Sequence, residues 1–209
     1  MWGKVSPAAM RRDRPTQADR RARTRGALLE AAARGLSRHG YANLVLERVA
    51  NEAGYTRGAL YHLFASKEDL ALAVVSWVEE TWYEQMGPLI ADDRDPVGAL
   101  IGVARGHAVY CRRDVARVVT TLRVEFSGQN HPVGRAVDEA VDRVVAACTA
   151  LVSAGRRSGA IPPGPPARVL ALAVIGAVEG LVINLSGQAP YDAELAERAV
   201  VGLLGQGSR

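Results

Sequence analysis

Residues 45–70, VLERVANEAGYTRGALYHLFASKEDL, restrict the fold more than any other stretch of the chain. Leu46, Val49, Ala50 and Ala53 recur at spacings of three and four, so they share one helical face, and Leu60, Leu63 and Phe64 repeat the pattern. Gly54 between them can turn left-handed without a Cβ clash, which reverses the chain within very few residues. Thr56 has the chemistry of an N-cap, because its hydroxyl accepts a bond from an orphaned backbone N–H. Tyr55 and Leu60 have the spacing of a hydrophobic staple. Two short helices joined by so tight a turn form a helix-turn-helix over about 45–64, and its second helix, at 56–64, is the candidate DNA reader.

Charge points the same way. Residues 1–25 hold eight basic side chains (Lys4, Arg11, Arg12, Arg14, Arg20, Arg21, Arg23 and Arg25) against Asp13 and Asp19. This segment is therefore net +6, and the remainder of a +4 chain is net −2. One reading is a solvated tail. The favoured one is a polycationic arm, residues 1–21, that contacts phosphates or enters the minor groove beside the reader. Cys111 and Cys148 lack CxxC spacing, so buried thiols in a reducing, cytoplasmic setting are favoured over a disulfide. The longest apolar run, Val169–Val178, stops at Glu179, short of the roughly 18 residues of a membrane span. No export signal opens the chain, and no membrane partner is expected.

The rest reads as helices. The first is expected over about 18–38, with Leu28, Ala32 and Leu36 as its stripe and Gly40 as its stop. Asn43 is the cap available to the second helix. Ser66-Lys67-Glu68-Asp69 is a capping-box pattern opening a helix through Val74 and Trp77 towards Met86, with Gly87-Pro88 as the turn that ends it. Further helices are expected over about 96–111 and 114–126. From Pro132, the residues Val133, Val137, Val141, Val144, Cys148 and Leu151 make the clearest amphipathic stripe in the chain. Beyond a proline-rich connection at 162–166, Arg168–Leu185 is apolar on nearly every face and calls for burial all round. The last helix, about 192–204, offers Leu195, Ala199, Gly202 and Leu203 as its packing side. The fold is expected to be all-α: a reader at 22–70 and a helical bundle at 71–209.

GYTRGALYHLFASKEDL, with Gly40-Tyr41 and the spacing from Ala50 to Gly54, resembles the signature of tetracycline-repressor (TetR) type transcriptional regulators. The match covers about residues 25–70, and the rest agrees in layout. The resemblance implies a homodimeric, ligand-responsive regulator, most simply a repressor, that binds a near-palindromic double-stranded DNA operator and is released by a small-molecule effector. It implies that Thr56 caps the recognition helix and touches phosphate, and that Arg57 reads a base. Gly58 and Ala59 would allow close approach, Tyr61 and His62 would meet the backbone, and Lys67 a phosphate. Asn43, with Arg23 and Arg25 from the arm, completes the expected DNA set.

The sequence departs from the family where Leu44-Val45-Leu46 replaces the Thr or Ser residues that usually begin the second helix. Residues 26–70 are also electrically neutral: Arg34, Arg38, Arg48, Arg57 and Lys67 balance Glu30, Glu47, Glu52, Glu68 and Asp69. The arm is therefore expected to carry an unusual share of affinity. Candidate effector contacts are Trp77, Trp82, Tyr83, Met86, Tyr110, Arg123, Glu125 and Phe126, against the plainer reading of core or surface. The last two helices imply a dimer interface of Leu172, Gly176, Glu179, Gly180, Ile183, Leu195, Ala199 and Leu203. Glu179, a carboxylate within an apolar helix, needs a partner, and an intersubunit arginine or interfacial water ranks above a ligand.

His107 and Cys111, at i and i+4, have the spacing of two metal ligands, but a packed helix with a buried thiol is favoured, and no metal or cofactor is expected. No phosphate-binding glycine loop or catalytic Ser/His/Asp set stands out, so an enzyme is not expected. Two rival readings remain: a helical small-molecule-binding protein or enzyme with a vestigial DNA motif, and a nonspecific architectural DNA-binding protein.

Overall fold

The structure is a computed structural model that describes residues 16–206 apart from Asp93 and Ser186. Most of the basic arm, residues 1–15, lies outside the described residues. Among those described are nine α-helices, one 3₁₀ turn and no strand.

Helix α1 (Gln17–His39) begins at Thr16, whose hydroxyl accepts from the Asp19 N–H while the Asp19 carboxylate accepts from the Thr16 N–H. That reciprocal cap satisfies two orphan donors, and its hydrogen bonds hold the Asp19 carboxyl below its ordinary pKa. Gly40, at φ 72°, ends the helix. Helices α2 (Leu46–Glu52) and α3 (Arg57–Tyr61) follow, with Gly54 at φ 77° making the turn between them. The recognition helix is shorter than 56–64: His62 is its C-cap and Leu63 lies beyond it.

Helix α4 (Lys67–Ile90) is capped by Ser66, and Asp69 reaches back to the Ala65 N–H rather than to that of the cap. It runs through Gly87-Pro88 instead of stopping there. Proline's fixed φ is compatible with helix, and its missing N–H forfeits a single bond two residues from the end. Helix α5 (Pro96–Tyr110) is capped by Asp95. The expected helix at 114–126 divides into a 3₁₀ turn (Asp114–Arg117), which buries Val115 and Ala116, and α6 (Val118–Glu125). Helix α7 (Pro132–Ser158) starts from the His131 side chain and ends at Gly159 in the left-handed conformation.

Helices α8 (Ala167–Leu185) and α9 (Tyr191–Leu203) close the bundle. By length and composition α8 is apolar enough to cross a membrane, contrary to what the run broken at Glu179 suggested, because one carboxylate barely lowers the average over 19 residues. Only one side of α8 is buried, through Leu170, Ala171, Val174, Val178 and Val182. Its other side leaves Val169, Leu172 and Ile183 exposed, and a Cβ added at Gly176 or Gly180 would meet nothing within 4 Å. The side of α9 that packs within the chain is Ala193, Ala196, Val200 and Leu204 after its end, not the Leu195–Leu203 side, where both leucines are exposed.

Two hydrophobic clusters hold the fold. One joins α1–α4 to Val115, Val118, Leu122, Phe126, Val133 and Val137. The other joins the second half of α4 to α5, α7, α8 and α9.

Candidate functional site

The reader presents one exposed edge. The Thr56 hydroxyl accepts from the Ala59 N–H at 3.2 Å, which fixes the first turn of α3 with Thr56, Arg57 and Gly58 exposed. The Arg57 guanidinium lies 5.4 Å from the Tyr61 ring centroid, and its Nη2 is 3.5 Å from the Tyr61 hydroxyl. An aromatic platform one turn along thus orients the side chain expected to read a base. His62 is exposed and Ala59 half-buried. On α1, Arg23 is exposed and the Arg25 guanidinium sits 5.6 Å from the Phe64 ring, so α1 places a cation beside the end of the recognition motif.

Two expected contacts are occupied within the chain. Asn43 does not cap α2: its Nδ2 donates to the His39 carbonyl at 3.0 Å, closing the end of α1, and the α2 N-cap is Val45 without a side-chain bond. Lys67 Nζ donates to the Ala42 carbonyl at 2.9 Å and lies 4.7 Å from the Tyr41 ring centroid. Arg34 pairs with Glu30 and Glu52, and Arg38 with Asp114, so part of the reader's positive charge is neutralised locally.

The α1–α2 turn is gripped by the bundle. The Glu125 carboxylate, at the end of α6, accepts from the Tyr41 N–H (2.6 Å) and the Ala42 N–H (2.7 Å). The Tyr41 ring packs against Phe126 and His131, which are themselves stacked with centroids 4.3 Å apart. A Cβ on Gly40 would come within 2.5 Å of Glu125 Oε2, so this close approach needs glycine as much as the positive φ does. Glu125 and Phe126, expected as effector contacts, serve here as the link between bundle and reader. No sequence signal marks that role, since the acceptor and its two amides are more than 80 positions apart.

Behind this link lies a cavity of about 480 Å³, bounded by α4, α5, α6, α7 and α8 and reached by Ser37 of α1. Of the residues named as candidate effector contacts, Trp82, Tyr83 and Tyr110 line it. Trp77, Met86, Arg123 and Phe126 do not: Trp77 packs on the reader's cluster, and Met86 is buried against α5 beside Gly106. His107, Cys111, Thr120, Thr121 and Cys148 line it as well, as does Glu179, which had been assigned to the dimer interface. The Glu179 partner is Arg123 of the same chain at 3.7 Å, because α8 turns that carboxylate towards α6 rather than outward. Ile183 also borders the cavity while remaining exposed.

Most polar groups on the wall are satisfied. Trp82 Nε1–H donates to His107 Nδ1 at 2.9 Å, which leaves the proton of the neutral ring on Nε2, 3.4 Å from Cys111 Sγ. Burial pushes His107 down to about 4, so the imidazole is uncharged at neutral pH. Burial likewise pushes the Cys111 thiol up to about 12 and the Cys148 thiol up to about 11, and neither is in a disulfide. The Tyr110 hydroxyl donates to the Val78 carbonyl and meets the Thr81 hydroxyl. Glu79 is held by both nitrogens of an Arg143 fork. The buried Ser37 hydroxyl, in contrast, has no partner.

Comparisons with known proteins agree with this architecture. Residues 28–74 match the family model described as bacterial regulatory proteins, tetR family. The A-factor receptor protein of Streptomyces griseus is 28% identical over 177 residues, 81% of this chain, which spans 59% of that relative's length. A TetR transcriptional regulator from Chloroflexus aurantiacus superposes with a TM-score of 0.73 at 25% identity, over 89% of this chain and 94% of its own. AibR, solved in complex with isovaleryl coenzyme A and operator DNA, gives 0.66 at 22% identity over 88% and 97%. The reader's sequence, and a fold shared along nearly the whole described chain, place this protein in the tetR family of bacterial regulatory proteins.

Proposed function

We propose that the protein is a cytoplasmic, homodimeric repressor that binds a near-palindromic operator and is released by a small molecule held in its bundle. One observation carries this reading. An exposed recognition edge is joined, through α1 and the α1–α2 turn, to a cavity large enough for a small molecule and touched by Ser37 of α1 itself. That AibR holds an acyl-CoA and operator DNA on a similar fold supports pairing the two sites.

On DNA, Arg57 leaves the Tyr61 ring for a base edge, Thr56 and His62 meet phosphates, and Gly58 and Ala59 let the helix approach closely. Lys67 exchanges the Ala42 carbonyl for phosphate, and Arg23 and Arg25 continue the cationic edge into the arm. Asn43 contributes by holding the end of α1, beside the backbone. The exposed Leu172, Gly176 and Ile183 of α8, with Leu195, Ala199 and Leu203 of α9, form the two-fold interface, and its burial completes the covering that α8 lacks in one chain. Effector binding favours a different spacing of the two readers, transmitted by α4, which spans both clusters, and by the Glu125 grip on Tyr41 and Ala42. An effector shifts that balance only by its differential affinity for the two states.

Selection of bound fragments from genomic DNA tests this directly. The expected result is paired half-sites with centres about 34–36 Å apart, or a multiple of it. Enrichment without a shared sequence would favour an architectural protein, and no enrichment would favour a ligand-binding protein with a vestigial motif.

A further inference from the structure

The polar groups of the cavity are not equivalent, and the difference specifies a ligand. Its wall is mostly apolar, with Val103, Val144, Val174 and Val178 beside the rings of Trp82 and Tyr83. Among its ionisable groups, His107 is neutral with both nitrogens engaged, and Glu79 is held by the Arg143 fork. Arg117 is exposed to solvent, where an ion pair gains little.

Glu179 alone is left wanting. It is half-buried on α8, and its one partner among the described residues, Arg123, is 3.7 Å away, beyond hydrogen-bond reach, on a largely exposed side chain. Burial accordingly raises its pKa, with Arg123 opposing. A partly desolvated carboxylate without a charge-assisted hydrogen bond gains most from a cationic donor and least from a second anion.

We propose that the cavity accepts a compact, mostly apolar or aromatic molecule bearing one protonated amine, which Glu179 receives as a charge-assisted hydrogen bond. This rests on the cavity being the effector site. Apolar contact supplies most of the affinity, and Glu179 supplies the selection by charge.

Three probes with one apolar body separate these contributions: 1-adamantylamine, 1-adamantanol and adamantane-1-carboxylate, titrated calorimetrically into the full-length protein at neutral pH. The amine is expected to bind at least about tenfold more tightly than the alcohol, and the carboxylate most weakly. Glu179→Gln, near-isosteric and checked by its melting temperature, should erase the amine's advantage while preserving alcohol binding. Arg123→Ala, at an exposed side chain, should enlarge that advantage. Val144→Phe should weaken all three by filling the cavity. Alcohol binding without an amine preference, a preferred carboxylate, or an amine advantage that survives Glu179→Gln would each overturn the charge assignment while leaving the effector site standing. Failure of all three probes to bind would overturn both.

Discussion

The two hydrophobic clusters differ in how well they are filled. Around the reader, Leu36, Leu60, Leu70, Val74, Val118 and Leu122 are all fully buried, and the hollow between α1 and α2 is about 20 Å³. In the bundle, Trp82, Val103, Val174 and Val178 retain a few per cent of their surface because they border about 480 Å³ of space. A sealed core forgoes ligand and keeps its shape, whereas a hollow one forgoes dispersion contacts and gains a place for a guest. The seal extends past the reader into α6 and α7, so these helices are packed into the reader's cluster while also forming part of the cavity wall. In the proposed repressor, that shared ownership is the route by which a guest would reach the DNA edge.

Matched truncations probe this contrast most strongly. Val74→Ala in the sealed cluster should cost about 2–3 kcal/mol, and Leu60→Ala about 2–5, in urea unfolding monitored by circular dichroism. Val144→Ala on the cavity wall should cost less than about 1 kcal/mol, since its side chain already borders a void. Equal costs for the two valines would mean that the bundle is as well packed as the reader.

Acid should act on the hollow cluster first. His107 has a folded-state pKa lowered to about 4 from an ordinary 6.5, so on acidification the unfolded chain takes up its proton before the folded one. The stability contributed by the neutral ring is complete above about pH 6.5 and lost as pH falls towards 4. The loss should be on the order of 1–3 kcal/mol, discounted for solvent entering the cavity. His107→Gln should flatten the stability profile over that window; an unchanged profile would place the titration elsewhere.

The smallest effect lies at the link. Glu125→Ala should leave the helices folded but speed hydrogen exchange at the Tyr41 and Ala42 amides by roughly tenfold, about 1.4 kcal/mol of local protection. Unchanged protection would show that Phe126 and His131 hold the turn without the carboxylate.

What sequence could reveal followed what local chemistry controls. Thr56, Ser66, Pro132 and the glycines at 40 and 54 mark helix ends through bonds made within a few residues, and each end was legible. The Leu28–Leu36 stripe and the Val133–Leu151 stripe were legible from their period. Which face meets a void was not. Trp77, Trp82 and Met86 lie on one helix with the same character, yet only Trp82 lines the cavity, because that depends on where α5 and α7 settle. Glu179 was recognisable as a carboxylate in need of a partner, but the rotation of α8 that turns it towards Arg123 is a tertiary outcome. Asn43 and Lys67 had the right chemistry for phosphate, and their nearest partners proved to be carbonyls of the chain itself.

Sequence-specific reading of DNA is the claim on which the rest depends, and Arg57→Ala tests it most directly. Affinity should be measured for the selected site, for each single-base variant of it, and for unrelated DNA, all at one salt concentration. The expected loss is about 1–3 kcal/mol on the selected site, with discrimination relaxed at one position of each half-site and unrelated DNA nearly unaffected. An equal loss on every sequence would contradict a reading role and reduce Arg57 to a phosphate contact.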